Sequence, residues 1–145
     1  MRPFLALERN LCLVEVIYGD ADDLRRQEAE SGLIDHLGSC GISLKSVDLN
    51  ASGCYIIVHG SDLERLKAAV RLYNVAIRVR DECGRLSLRR RGQWATFPSL
   101  TSILSAFHRR SIRVMYLFAG SAQIDVLVAD QQIPSAMRIL QWAMR

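Results

Sequence analysis

Leu100, Ile103, Leu104 and Phe107 stand at i, i+3, i+4 and i+7, one apolar stripe of a helix, and all four are expected to face a sheet. Pro98 fits the first helical position, where its missing N–H costs nothing. Ile112, Val114, Tyr116 and Phe118 then alternate with residues of the opposite face, as do Ile124, Val126 and Val128. Gly120-Ser121 between the two runs predicts a hairpin.

The same order of elements occurs earlier. Leu33 and Ile103, Leu37 and Phe107, Ile42 and Ile112, Ile56 and Val126, Leu63 and Ile133, and Val70 and Leu140 are each 70 positions apart (103 − 33 = 140 − 70 = 70). A constant offset across a helix, a hairpin and a second helix requires equal element and loop lengths, so the chain reads as an internal duplication of a two-layer module. Phe4 to Leu7 is a strand candidate, Glu8-Arg9-Asn10 a polar break, and Leu11 to Ile17 a second strand. Asp22 or Asp23 is a fair N-cap for a helix running to about Gly38, which Gly41 stops. Ile42 to Leu49 and Gly53 to Val58 form a hairpin. Ser61-Asp-Leu-Glu64 opens a helix as a capping box, ending near Asn74, and Val75 to Arg80 is a closing strand. The first module is therefore β-α-β-β-α-β. The second starts at Gly84 to Leu88, repeats helix, hairpin and helix, and has no fourth strand, so Phe4 to Leu7 is expected to complete it. The fold class is α+β: two ferredoxin-like modules, residues 10–83 and 84–145, the latter completed by strand 3–9.

Composition narrows the function. With 50% hydrophobic residues among 145 and a mean hydropathy of +0.09, the chain has material for a core. No apolar run approaches the ~20 residues of a membrane span, and acid appears too early for a secretory signal, which points to the cytoplasm. Cys12, Cys40, Cys54 and Cys83 lack metal spacing and read as buried free thiols. The net charge of +4 comes from arginines clustered between residues 78 and 91, on the solvent face of strands, while Asp20, Asp22, Asp23, Glu28 and Glu30 make the first loop acidic. No Ser, Cys or His constellation, phosphate loop or metal motif points to catalysis, and no cofactor is expected. An RNA-recognition module shares the element order, but it needs aromatic residues on its central strands; Tyr55 alone is too little, and Asp125 would repel phosphate.

Two such modules, the second completed by an N-terminal strand, resemble the paired ACT domains at the C-terminus of aspartokinase, here without the kinase domain. The segments Phe97 to Ile112 and Ile124 to Asp130 look like that family's Pro-Gly loop, helix and strand. Ser99 stands where the family has Gly after Pro98, and the first module has no Pro-Gly. The resemblance implies a non-catalytic regulatory module that binds a free amino acid, lysine, threonine or similar, where the loop after the first strand of one module faces the second strand of the other. Backbone N–H groups at a helix N-terminus attract a carboxylate, and a nearby Asp can hold the ammonium. The candidates are Gly92, Gln93, Trp94, Thr96 and Ser99 in the second loop and Asp20, Asp22 and Asp23 in the first, with Asp48, Asn50 and Ser121 as opposing polar groups. The expected partners are a second copy or a catalytic chain. A ligand-free assembly module is the alternative.

Overall fold

The computed structural model describes residues 4–19, 22–50, 53–89 and 99–144, with only the backbone of Asp23. Six strands and four helices follow one another as β1 Phe4–Tyr18, α1 Asp23–Ser39, β2 Leu44–Asn50, β3 Gly53–His59, α2 Leu63–Val70, β4 Val75–Arg89, α3 Leu100–Arg109, β5 Tyr116–Ala119, β6 Gln123–Ala129 and α4 Ile133–Ala143. The chain divides into a first module, Asn10–Asp81, and a second made of Met1–Arg9 with Glu82–Arg145. β1 and β4 each lend one half to each module.

In the first module the strand order is β2-β3-β1-β4. The β1–β3 ladder pairs Val14 with Ile56 and Cys12 with Val58 antiparallel, and α1 and α2 bring Leu33, Leu37, Leu66 and Val70 onto those side chains. The second module has the order β1-β4-β6-β5, with Leu86 paired to Val126. Its core joins Leu86, Leu88, Val126 and Val128 to Ile103, Phe107, Ile133 and Leu140 from the helices. Leu5 of β1 packs against this core, so the N-terminal strand completes the second module. Glu8 and Arg85 form an ion pair at 2.9 Å there, and Glu15 and Arg78 one at 3.8 Å in the first module.

Five local expectations are corrected. Glu8-Arg9-Asn10 is no break: β1 runs through it, with Asn10 at φ +58°, and β4 likewise runs through Glu82 at φ +52°. A left-handed residue bends a strand without ending its pairing. The capping box does not form; Asp62 makes no side-chain cap, and the His59 ring instead accepts from the Ser61 N–H ahead of a short 3-10 turn, Gly60–Asp62. α2 stops at Val70, not Asn74. β5 begins only at Tyr116, because the Gln132 side chain occupies the preceding backbone, accepting from Arg113 N–H and donating to Ser111 C=O, each at 3.2 Å. Leu104, expected to face the sheet, is exposed.

The duplication extends to the caps. After α1, Ile42 N–H reaches Leu37 C=O and Gly41 N–H reaches Gly38 C=O, with Gly41 at φ +74°. After α3, Ile112 N–H reaches Phe107 C=O and Ser111 N–H reaches His108 C=O, with Ser111 at φ +54°. Both are Schellman motifs, 70 residues apart, but a left-handed serine costs about 1 kcal/mol that glycine does not. Ser111→Gly is therefore expected to raise the unfolding free energy by about 1 kcal/mol in urea titration, and Gly41→Ser to lower it by as much.

Both faces of β3 and β6 are buried: Ile56 and Ile57 are 0% and 1% exposed, Val126 and Leu127 0% and 1%. An RNA-recognition surface needs one of those faces open to stack bases.

Candidate functional site

The end of β1 and the start of α1 form a polar hollow in the first module. Asp22 has extended backbone and caps α1, its carboxylate accepting from the Arg25 N–H at 2.8 Å. The same carboxylate lies 3.8 Å from the Arg25 guanidinium. Behind this turn is a hollow of about 300 Å3, lined among others by Tyr18, Gly19, Arg25, Arg26, Tyr73 and Asn74. Tyr73 is fixed by its hydroxyl, which donates to the Gly32 carbonyl of α1 at 2.8 Å. The hollow thus has two guanidiniums and the positive end of a 17-residue helix on one side, a combination that attracts a carboxylate.

The wall behind it is apolar and titrates unusually. The Tyr18 hydroxyl oxygen is buried, and burial, with Cys54 and Glu30 nearby, holds its pKa well above the ordinary tyrosine value. Burial also lifts the Cys54 thiol to about 11, with Glu30 adding to the rise and the Tyr18 hydroxyl opposing it. Because the folded protein holds this proton more tightly than the unfolded chain, the thiol's contribution is complete below pH 9 and disappears as the pH climbs through about 11. Urea denaturation at pH 8.5 and pH 11.5 is expected to differ by about 2–3 kcal/mol through this group. Cys54→Ala should remove that part of the loss.

Asp48 lies on β2 across from Tyr55, exposed. The Asn50 side-chain oxygen accepts from the Gly53 N–H at 3.0 Å and closes the β2–β3 hairpin. In the second module Ser99 caps α3 by accepting from the Ser102 N–H at 3.4 Å, and Ser121 is exposed between β5 and β6. Asp20, Gly92, Gln93, Trp94 and Thr96 lie outside the described residues, as does the Asp23 side chain. The hollow is lined instead by Tyr18, Arg26 and Tyr73, from three separate elements, which no spacing along the chain connects. The burial of Asp125 was not readable from the sequence: it is 8% exposed, and the Gln123 amide donates to both its oxygens at 2.7 Å.

Among the described residues no group of three His, Cys, Asp or Glu side chains could hold a metal ion, and no helix is long and apolar enough to cross a membrane.

No protein-family model and no curated protein matches the sequence. Solved structures do match the fold. The regulatory subunit of aspartate kinase from Thermus flavus superposes with a TM-score of 0.78 at 12% identity, over 100% of both chains. Clostridium acetobutylicum aspartate kinase gives 0.81 at 11% identity, over 97% of this chain and 34% of the kinase. E. coli aspartokinase III in complex with lysine and aspartate gives 0.69 at 15%, over 96% of this chain and 31% of that one. The chain thus has the fold of an aspartate kinase regulatory subunit along its whole length, and spans about a third of the two kinases.

Proposed function

We propose that this chain is a non-catalytic regulatory module that binds a small free amino acid and passes the bound state to a catalytic partner chain or to a second copy of itself. The observation that carries the reading is the hollow of about 300 Å3 at the start of α1, with Arg25 and Arg26 beside the helix N-terminus. The amino acid's carboxylate would face Arg26 and the first-turn N–H groups, and its ammonium the acidic stretch from Asp20 to Asp23. The loop from Gly92 to Ser99, before α3 of the second module, belongs to the same proposal. The match to an aspartokinase solved with lysine makes lysine the first compound to try. Regulation needs no chemistry from the module: an effector that prefers one of two conformations shifts their populations by its differential affinity.

Thermal melting with each of the common amino acids tests the reading. At a hundredfold excess over its dissociation constant the effector adds about 2.7 kcal/mol to the folded state, several degrees for a chain of this size. A panel including lysine, threonine and arginine that leaves the melting temperature unmoved removes the proposal.

A second reading has its own observation. Val47 and Leu49, 39% and 55% exposed, lie on β2, the edge strand of the first module, and apolar edge strands invite pairing with another chain. Assembly without any effector, seen by sedimentation and abolished by Leu49→Lys, favours it.

A further inference from the structure

We propose that the second module carries a separate binding site for a nucleoside phosphate, in the hollow between the ends of α3 and α4. The hollow has a volume of about 300 Å3 and is lined by Ala106, Arg109, Arg110, Arg138, Ile139 and Trp142. Its floor is apolar, since Ala106 and Ile139 are buried at 9% and 6% exposure, and Trp142 stands beside it 61% exposed. Three guanidiniums ring this floor, and among the described residues no carboxylate pairs with any of them; Arg138 reaches only the Ser135 hydroxyl, at 3.3 Å.

Cations at the end of α3 are explained in part by the helix dipole, which favours positive charge at a C-terminus. That accounts for Arg109 or Arg110. It does not account for Arg138, which comes from α4, or for an indole left in water beside them. The first module supplies an internal control. Seventy residues earlier, the positions of Arg109, Arg110, Arg138 and Trp142 hold Ser39, Cys40, Ala68 and Leu72. At its own cap the first module has a cation, Arg65 of α2, which donates to the Cys40 carbonyl at 3.2 Å and is paired with Asp62, and the four matched positions carry neither an arginine cluster nor an aromatic ring. What differs between the copies is a site and not a requirement of the fold.

The chemistry selects the ligand. Guanidinium groups match phosphate oxygens in bidentate fashion and, grouped without acids, concentrate a field that draws anions. An exposed indole over an apolar floor offers a face on which a planar base can stack. The volume is at the lower bound of small-molecule sites, suited to one nucleotide. A stable protein partner would cover roughly 800 Å2 on its side, far more than six residues around one hollow provide. The inference does not depend on the amino-acid reading, because its residues, at the C-terminal end of α3 and on α4, are none of those proposed to hold the amino acid, and the readout is different.

The chain has two tryptophans, so Trp94→Phe leaves Trp142 as the sole reporter. AMP, ADP and ATP are titrated into this variant while its fluorescence is followed, and into the unaltered chain by equilibrium dialysis, which does not rely on that variant folding. Saturable quenching, weakened about tenfold or more by Arg109→Ala with Arg110→Ala and weakened further at high salt, supports the site. Three results overturn it: no saturable binding of any of the three nucleotides at millimolar concentration; inorganic tripolyphosphate binding as tightly as ATP, which means an anion sink with no role for the base; or oligo(A) binding far more tightly than ATP, which means a nucleic-acid surface. Amino acids that fail to shift the melting temperature while ATP quenches Trp142 would remove the proposed effector and leave this site standing.

Discussion

Removal of residues 1–9 is expected to unfold the second module. That module's sheet begins with the first half of β1, whose Leu5 packs on the core around Leu86 and Phe107. Without the strand, β4 loses a neighbour along residues 82–89, and its backbone donors and acceptors on that side are left without a ladder. Arg85 also loses the carboxylate of Glu8, an ion pair in which the arginine side chain is 15% exposed and the glutamate 35%. Loss of this partly exposed pair costs about 1 kcal/mol, which adds to the lost ladder and the uncovered core in a domain held folded by roughly 5–15 kcal/mol. Hydrogen exchange is the suitable measurement, because it reports each strand separately. Amides of β6, from Gln123 to Ala129, should lose protection in the truncated chain and recover it when the peptide of residues 1–9 is added in trans. Unchanged protection would mean that the N-terminal strand is ornamental.

Phe107→Ala is expected to cost about 3–5 kcal/mol. Phe107 is 1% exposed and among the largest fully buried side chains, and its carbonyl also receives the Ile112 N–H of the Schellman cap. Truncation leaves a cavity between α3 and the β4–β6 ladder that its neighbours fill only in part. The duplication supplies the control, because the matching position in the first module is Leu37, 0% exposed. Phe107→Leu should therefore retain most of the stability, with a loss of about 1–2 kcal/mol in urea titration. If leucine proves as damaging as alanine, the two cores are not equivalent and the repeat is one of outline only.

The repeat itself was legible because core positions obey geometry. Leu33 and Ile103, or Val70 and Leu140, must be apolar wherever the same helix meets the same sheet, whatever happens to the surface. The continuity of β1 was not legible. Glu8, Arg9 and Asn10 look like a turn because their side chains are polar, yet sheet pairing is made by backbone groups, and Asn10 accommodates the bend at φ +58°. The late start of β5 was equally hidden, since it depends on Gln132, from a distant part of the chain, bonding to Arg113 and Ser111. Asp22 was readable as a helix cap because capping is a local act. The hollow beside it was not, because Tyr18, Arg26 and Tyr73 come from a strand, a helix and a loop that only the folded chain brings together.

That hollow gives the account its sharpest test. The amino acid with the largest effect on melting is titrated calorimetrically into the intact chain and into the Arg26→Ala variant. Saturable binding to the intact chain is expected, with a loss of about tenfold or more in affinity when the guanidinium is removed. Heat that never saturates for any amino acid, or an affinity indifferent to Arg26, would contradict it.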